Sequence, residues 1–305
     1  MDTRVSCSAA ELQRLGLLSC TGDEARAFLH AQLTSDVAAL ATGEARVAGW
    51  CSAKGRLLAT FLVFMRGDEF LLQLPREIAP AVAKRLSMFI LRAKAKLVDA
   101  SDSWLQFGLW GEGAADRLTA LGLAVPQGAM RVAHADGGSV VQVAPQRFLV
   151  VVPAARRERM AAIGSATGES AWALGEIRAG RPQVTLTTQD LFVPQMLNLE
   201  RLGAVDFKKG CYPGQEIVAR TQYRGVLKRR MVRARVAAQA AAGDELFADE
   251  SPGQASGAVV NAAPLPGGSC ELLAVAQISA LEGAKPIRLH AADGPVLELL
   301  PLPYA

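Results

Sequence analysis

The chain has 305 residues, a mass of 32.2 kDa and a net charge of +4, which is length enough for two or three domains. Half of the residues are apolar and a fifth are charged, which excludes a disordered chain. The longest apolar run, 57–65, is too short to span a bilayer, and the N-terminal residues lack a signal-peptide pattern. We therefore expect a cytoplasmic protein without a membrane partner.

The predicted elements begin with a helix. Residues 21–24 read TGDE, a capping box that marks a helix start. Two apolar runs, 45–51 and 57–64, then predict a β-hairpin around the turn 52–56, which carries two cations. Strands and helices alternate again from residue 96 onward. This order predicts an α+β fold in which antiparallel sheets are backed by helices.

The pattern of the chain changes from Val226 onward. Short alternating segments are separated there by glycine- and proline-rich turns, and no helix is predicted. Such evenly spaced strands are typical of a small barrel or sandwich. We predict one domain region over 1–226 and a second domain over 227–305.

Cysteine and histidine residues do not form a metal-binding pattern. The five cysteines include no C-x-x-C pair, and the three histidines share no ligand-like spacing. We therefore predict no dedicated metal site and thiols that stay reduced.

The positive charge is concentrated in one segment. Residues 201–235 contain ten Lys or Arg residues against Asp206 and Glu216, a net charge of +8, so the remaining 270 residues together carry −4. Such a local field indicates an anionic partner, although a solvated cationic strand is the alternative.

Cys211 lies in this segment, just before a predicted helix over 215–223 with Ile217 and Val218 turned inward. The helix N-terminus and Lys209 both favour a thiolate, so Cys211 is either a reactive thiol or a small buried residue. No histidine lies nearby to act as a base, which argues against a Cys–His hydrolase. A G-x-S-x-G elbow and a Walker loop are both absent.

The octapeptide 209–216, KGCYPGQE, resembles the K-G-C-[YF]-x-G-Q-E signature of the YgfZ-type folate-binding proteins. The resemblance extends along the chain through TGDEARAFLHAQLTSDV, CSAKGRL, RAGRP after Trp172, FVPQMLNLE, VARTQYRGVLKRR and the closing PLPY. By these collinear motifs the sequence is identified as a member of that family.

The resemblance implies a relative of the glycine-cleavage aminomethyltransferase, or T-protein. The implied fold has two ferredoxin-like parts and a C-terminal β-barrel, arranged around a central channel that binds tetrahydrofolate. The implied function is that of an accessory protein in Fe–S cluster assembly or repair, supporting Fe–S enzymes such as tRNA-thiolating radical enzymes. Its partners would then be the folate and Fe–S client or assembly proteins.

The resemblance also implies roles for single residues. Cys211 would be the functional thiol, assisted by Lys209. Trp172 would contact the pterin, unless it packs in the core. The basic segment would neutralise the glutamate tail of the folate, which is often a polyglutamate. The remaining implied folate contacts are Arg178, Gln195, Asn198, Tyr212, Gln215, Glu216, Arg220, Tyr223 and Arg224.

Two other functions remain open as alternatives, and a departure from the T-protein pattern bears on the first of them. True aminomethyltransferases have a pterin-binding glutamate where this chain has Arg178, which argues against glycine cleavage but leaves another folate-dependent one-carbon transfer as an alternative. An RNA-binding module is the second alternative, since the +8 segment suits phosphates. Against it, Tyr212 and Tyr223 are the only aromatic residues between positions 208 and 235.

Overall fold

The computed structural model describes residues 7–135, 137–160, 163, 168–248 and 254–304. Three antiparallel sheets and a set of short helices make up this part of the chain, which confirms the predicted α+β class. No helix within these ranges is long and apolar enough to cross a membrane.

The first strand, β1 (Cys7–Glu11), does not join the strands that follow it directly. Those strands form the first sheet, in the order β3-β4-β5-β2-β6, with bounds β2 (Leu15–Thr21), β3 (Ala45–Cys51), β4 (Leu57–Arg66), β5 (Glu69–Pro75) and β6 (Lys96–Asp99). The predicted capping box precedes α1 (Ala25–Gln32), and a short 3₁₀ turn after β5 leads into α2 (Ala79–Ser87). The apolar runs of this region become strands because their side chains are almost all buried.

The second sheet takes β1 as an edge strand, in the order β1-β7-β10-β9-β8. Its other strands are β7 (Trp104–Gly111), β8 (Arg131–Ala135), β9 (Gly138–Ala144) and β10 (Arg147–Pro153). β9 and β10 pair as an antiparallel hairpin. The helices of this region are α3 (Ala114–Ala120), α4 (Arg157–Met160) and α5 (Glu169–Arg178).

The third sheet follows α6 (Gln215–Tyr223) and begins three residues after the predicted boundary at Val226. Its order is β15-β12-β13-β14-β11-β16, with β11 (Arg229–Val236), β12 (Glu245–Ala248), β13 (Gly257–Pro264), β14 (Cys270–Gln277), β15 (Ile287–Leu289) and β16 (Glu298–Leu300). The sheet curls into a half-barrel. One short helix, α7 (Ile278–Glu282), interrupts a region for which only strands were predicted.

The chain divides into two compact units that do not follow its linear order. The first unit comprises Met1–Leu29, Val37–Arg46 and Phe61–Trp172, and the second comprises His30–Asp36, Val47–Thr60 and Ala173–Ala305. The second unit therefore takes the end of α1 and the tip of the β3–β4 hairpin from the N-terminal part of the chain. The division at 226/227 stays a prediction about domains.

Candidate functional site

The loop that carries Cys211 is held by charged groups on its N-terminal side. The Asp206 carboxylate accepts the backbone N–H groups of Lys208 and Lys209, at 2.7 and 3.2 Å. Such a carboxylate-to-backbone turn fixes the chain where it enters the loop. Cys211 follows two residues later and is exposed.

The Lys209 side chain turns inward instead of toward the thiol. Its ammonium donates to the carbonyl oxygens of His30, Leu33 and Ser35, at 2.5 Å from Leu33 and 3.2 Å from Ser35. These carbonyls lie at and just beyond the C-terminal end of α1, where a cation is favoured by the unpaired C=O groups. Lys209 therefore fastens the Cys211 loop to the end of α1, within the second unit.

Burial lowers the pKa of the Lys209 ammonium to about 8, although the carboxylates of Asp36 and Asp206 act in the opposite direction. Asp36 is itself paired with His30, whose Nδ1 lies 3.1 Å from Asp36 Oδ1. The Lys209 ammonium is thus partly desolvated, and its role is structural because it binds the carbonyls at the end of α1. The sequence pattern around Cys211 contains no signal for this contact, because some 170 residues separate the two segments.

The five cysteines, all within the described part of the chain, differ in exposure. Cys211 is the exposed one, Cys7 is partly covered, and the others are buried. Burial raises the pKa of the Cys20 and Cys51 thiols to about 12. The alternative that Cys211 is a small buried residue is therefore wrong, whereas its reactivity stays a prediction.

Tyr212 points the opposite way from Cys211. Its ring is 6% exposed and lies with its centroid 5.2 Å from the Lys209 ammonium, within the range of a cation–π contact. Burial raises the pKa of the Tyr212 phenol, and its hydroxyl has no hydrogen-bond partner among the described residues. A buried hydroxyl without a partner requires water or a ligand to satisfy it.

The start of α6 rests on the tip of the β3–β4 hairpin. Gly214 has a φ of +77°, and a Cβ at that position would lie 2.4 Å from the Ser52 carbonyl oxygen. A Cβ at Gly55 would lie 2.9 Å from Cβ of Ile217, so these two segments are in close contact. The hairpin tip is held in turn by Arg56, which donates to the Leu191 carbonyl at 2.7 Å. The CSAKGRL motif thus supports the helix that follows Cys211.

The inner face of α6 differs in part from the predicted one. Val218 is fully buried as expected, but Ile217 is 39% exposed and lies over Gly55. Gln195 and Asn198, two predicted folate contacts, are buried beneath this region. The Gln195 amide donates to the Val218 carbonyl at 2.7 Å, and the Asn198 amide donates to the Met231 carbonyl at 3.0 Å. Both amides therefore hold the backbone of α6 and β11.

The outer face of α6 carries the remaining predicted residues. Glu216, Arg220 and Tyr223 follow at helical spacing and are exposed, with Arg224 exposed at the end of the helix, while Gln215 is half-buried. Tyr223 is 70% exposed, and its ring meets Phe207 edge-on with centroids 5.8 Å apart.

Trp172 belongs to the first unit and lies in its core. Its ring is 4% exposed, and the Arg147 guanidinium lies over it at 3.7 Å from the ring centroid. Gly108 is in contact as well, because a Cβ there would lie 2.2 Å from Cε3 of Trp172. A pterin could stack on this ring only after Arg147 moved away. Sequence reasoning did not identify Arg147.

Arg178 is engaged by a carboxylate of the chain itself. Its Nη2 donates to Oε1 of Glu271 at 2.7 Å, and its Nε lies 3.2 Å from Oε2. The Glu271 side chain is 2% exposed, and the hydrogen bonds from Arg178 lower the pKa of its carboxyl group. Arg235 adds a second guanidinium at 3.7 Å. Arg178 therefore has a structural partner that the sequence did not indicate.

The residues differ in how well they fit a folate. Trp172 and Arg178 are occupied by contacts within the protein. Tyr212 and Gln195, by contrast, each have a buried oxygen without a hydrogen-bond partner in the described part of the chain. A pterin has N–H groups that can donate hydrogen bonds to such oxygens. Among the residues predicted to contact folate, Tyr212 and Gln195 therefore fit a pterin best.

Comparison with known proteins gives matches to one family and one fold. Residues 1–144 match the family model of the GCVT N-terminal domain. The tRNA-modifying protein YgfZ of Vibrio vulnificus is 32% identical over 225 residues, which cover 73% of this chain and 68% of the relative. The tRNA-modifying protein YgfZ of Edwardsiella ictaluri is 32% identical over 299 residues, covering 94% and 89%.

A solved structure shows the fold. The crystal structure of glycine cleavage system aminomethyltransferase T from Bartonella henselae aligns with a TM-score of 0.78 at 17% identity, covering 99% of this chain and 87% of that one. This likeness confirms that the chain has the T-protein fold.

Proposed function

The chain belongs to the family of the tRNA-modifying YgfZ proteins, and from this premise we propose that it is a folate-binding accessory protein for the assembly or repair of Fe–S clusters. It would act in the cytoplasm and support enzymes such as those that thiolate tRNA. The observation that carries the proposal is the exposed Cys211 on a loop that Lys209 and Asp206 hold in place.

The fixed loop explains how the chain would use its thiol. Lys209 binds the carbonyls at the end of α1, so the backbone at 210–211 is positioned while the Cys211 side chain stays in solvent. A single thiol supplies only one ligand, so a cluster or sulfur group that it contacts would be shared with a client or assembly protein. Such sharing is compatible with a transient transfer of the cluster or sulfur group between proteins.

Tetrahydrofolate is the proposed cofactor, in its polyglutamate form. Tyr212 and Gln195 would hold it by hydrogen bonds, since both have buried oxygens that lack a partner in the described residues. Cations of the 201–235 segment would neutralise the glutamate tail. When bound, the folate would supply a carrier for one-carbon units.

Two measurements test the proposal. Calorimetry should show binding of tetrahydrofolate, with tighter binding of the polyglutamyl form; equal affinities would contradict the role of the cations. In cells that lack the native factor, the unmodified chain should restore the level of thiolated nucleosides in tRNA, and Cys211→Ser should not. Cys7→Ser, which removes a partly covered thiol, is the matched control. Full restoration by Cys211→Ser would refute the role of the thiol.

A further inference from the structure

The ten cations of the 201–235 segment fall into groups that the sequence does not distinguish. Four have partners inside the protein: Lys209 binds carbonyls of the α1 end, and Arg230 donates to Glu200 at 2.8 Å. Arg233 donates to the Arg178 carbonyl, and Arg235 lies near Glu271. These four cations are already in contact with groups of the protein itself.

A second group has no such partner. The tenth cation, Arg201, interacts electrostatically with Tyr304. Within the described residues, the other cationic side chains of this segment that form neither a hydrogen bond nor an ion pair belong to Lys208, Arg220, Arg224, Lys228 and Arg229. The first four are exposed and Arg229 is half-buried. We call these five residues the α6 cationic surface, because they lie on α6 and on the segments that enter and leave it.

The contacts of the region make this surface continuous. α6 has nine residues and is roughly 13 Å long. At its far end the Tyr223 ring meets Phe207, which directly precedes Lys208, so Lys208 lies beside the end of the helix. Arg220 and Arg224 lie on the last turn, and Lys228 follows within four residues. One exposed carboxylate, Glu216, lies on the same face, so the surface keeps a strong positive field.

An aromatic ring lies in the middle of these cations. Tyr223 is 70% exposed, although a tyrosine ring in solvent forfeits the favourable burial of a large apolar area. Phe207 meets it edge-on at 5.8 Å, which orients the ring and leaves its surface open. An exposed ring flanked by arginines is the arrangement on which unpaired nucleobases stack.

We propose that the α6 cationic surface binds RNA, with its cations on phosphates and one unpaired base stacked on Tyr223. This inference rests on the proposed function only for its biological setting, since it names tRNA as the class of partner. An acidic protein would match the charge equally well, but it would not use an exposed flat ring between arginines. The exposed Cys211, four residues before α6, would then lie at the edge of the bound RNA.

The experiment is a binding titration of the full chain with an unmodified tRNA transcript at several salt concentrations. The double variant R220A/R224A should bind roughly tenfold more weakly, and the slope of log K against log salt should become shallower by about 1.4 to 1.8. Tyr223→Ala should weaken binding by roughly fivefold or more, whereas Tyr223→Phe should keep it because the phenyl ring still stacks.

The control is K84A/R92A, which removes two exposed cations of the first unit. Equal losses in both double variants would show general charge attraction and overturn the proposal. Binding of a polyglutamate polymer without binding of tRNA would refute this inference and would indicate that the surface binds carboxylates, such as those of a folate tail or an acidic protein. A chain that binds tetrahydrofolate but not tRNA would refute this inference and leave the proposed function standing.

Discussion

At the scale of single residues, the chemistry of this chain depends on which side chains the fold occupies. Lys209 and Arg178 look like free cations in the sequence, but the first binds carbonyls and the second binds Glu271. Cys211, two residues after Lys209, remains exposed. The neighbouring sequence therefore predicts a cationic region around Cys211, but it does not identify the group to which each cation points.

The thiols should differ sharply in their rate of alkylation. At pH 7 to 8 the native protein should be labelled first at Cys211, because it is exposed, while burial holds the pKa of Cys20 and Cys51 at about 12. The thiolate fraction of the buried pair is then lower by roughly a thousandfold than that of an ordinary thiol. Mass spectrometry of each cysteine against time measures this. Labelling of Cys51 as fast as Cys211 would contradict it, and denatured protein, in which all five react, is the control.

The protonation of Lys209 should affect stability in a defined pH window. Its pKa is about 8 in the folded chain and roughly 10.4 in an unfolded one, so between these values the unfolded state holds more protons. The stability of the native protein should therefore rise, relative to Lys209→Met, as pH increases from 8 to 10. Below pH 8 both states are protonated and the difference should be constant.

Urea unfolding of the two proteins at pH 7 to 10.5 tests this. Taking the difference cancels the other titrating groups, which both proteins share. If the free energy of unfolding of the native protein, relative to that of Lys209→Met, fell as pH increased, the fold would favour the charged ammonium.

At the scale of elements, α6 is positioned by a turn that lies more than 150 residues earlier in the chain. The Ser52 carbonyl lies so close to Gly214 that a side chain cannot fit there, and Ile217 covers Gly55. The helix thus depends on the tip of the β3–β4 hairpin as well as on its own sequence. This explains why Ile217 stays partly exposed although the helical pattern placed it inside.

Two glycine substitutions can separate the cost of disturbing the contact between α6 and the hairpin tip from the cost of an unfavourable backbone conformation. Gly214 and Gly203 both have positive φ, at +77° and +66°, but no atom lies within 4 Å of a Cβ at Gly203. Gly203→Ala should therefore cost only the conformational strain, about 1 kcal/mol. Gly214→Ala should cost about 1–3 kcal/mol more, since it also displaces the hairpin tip.

Chemical denaturation measures both costs, and hydrogen exchange should show faster exchange of α6 in Gly214→Ala alone. Equal costs for the two variants would show that the contact with Ser52 contributes nothing.

At the scale of the whole molecule, the chain has the T-protein fold. The family resemblance leads us to expect a pterin-binding glutamate of aminomethyltransferases at position 178, where this chain has an arginine. Arg178 occupies that place, and its guanidinium is bound to the buried Glu271. A carboxylate is present nearby, but it is neutralised by Arg178 and Arg235. The carboxylate that the resemblance leads us to expect at this position for aminomethyl transfer is thus replaced by a cation that is already paired.

We therefore expect no significant aminomethyl transfer in a reconstituted glycine-cleavage assay. A genuine T-protein in the same assay is the positive control. Turnover comparable to that control would show that another group replaces the missing glutamate, and it would favour the one-carbon transferase alternative.

Much of this molecule is determined by local sequence. Two apolar runs around a glycine-containing turn predict the β3–β4 hairpin, and the capping box predicts α1. The KGCYPGQE octapeptide indicates the family to which the curated relatives belong. Each of these depends on groups within a few residues of one another, so the sequence contains the whole interaction.

Contacts between distant segments were decided only by the tertiary structure. β1 pairs with β7, nearly a hundred residues later, Lys209 binds the end of α1, and Arg147 covers Trp172. Backbone carbonyls and buried carboxylates attract any nearby cation, so charge and spacing alone do not select the partner. The selection is made when packing brings the two segments together, and that packing also leaves Cys211 and Tyr223 in solvent.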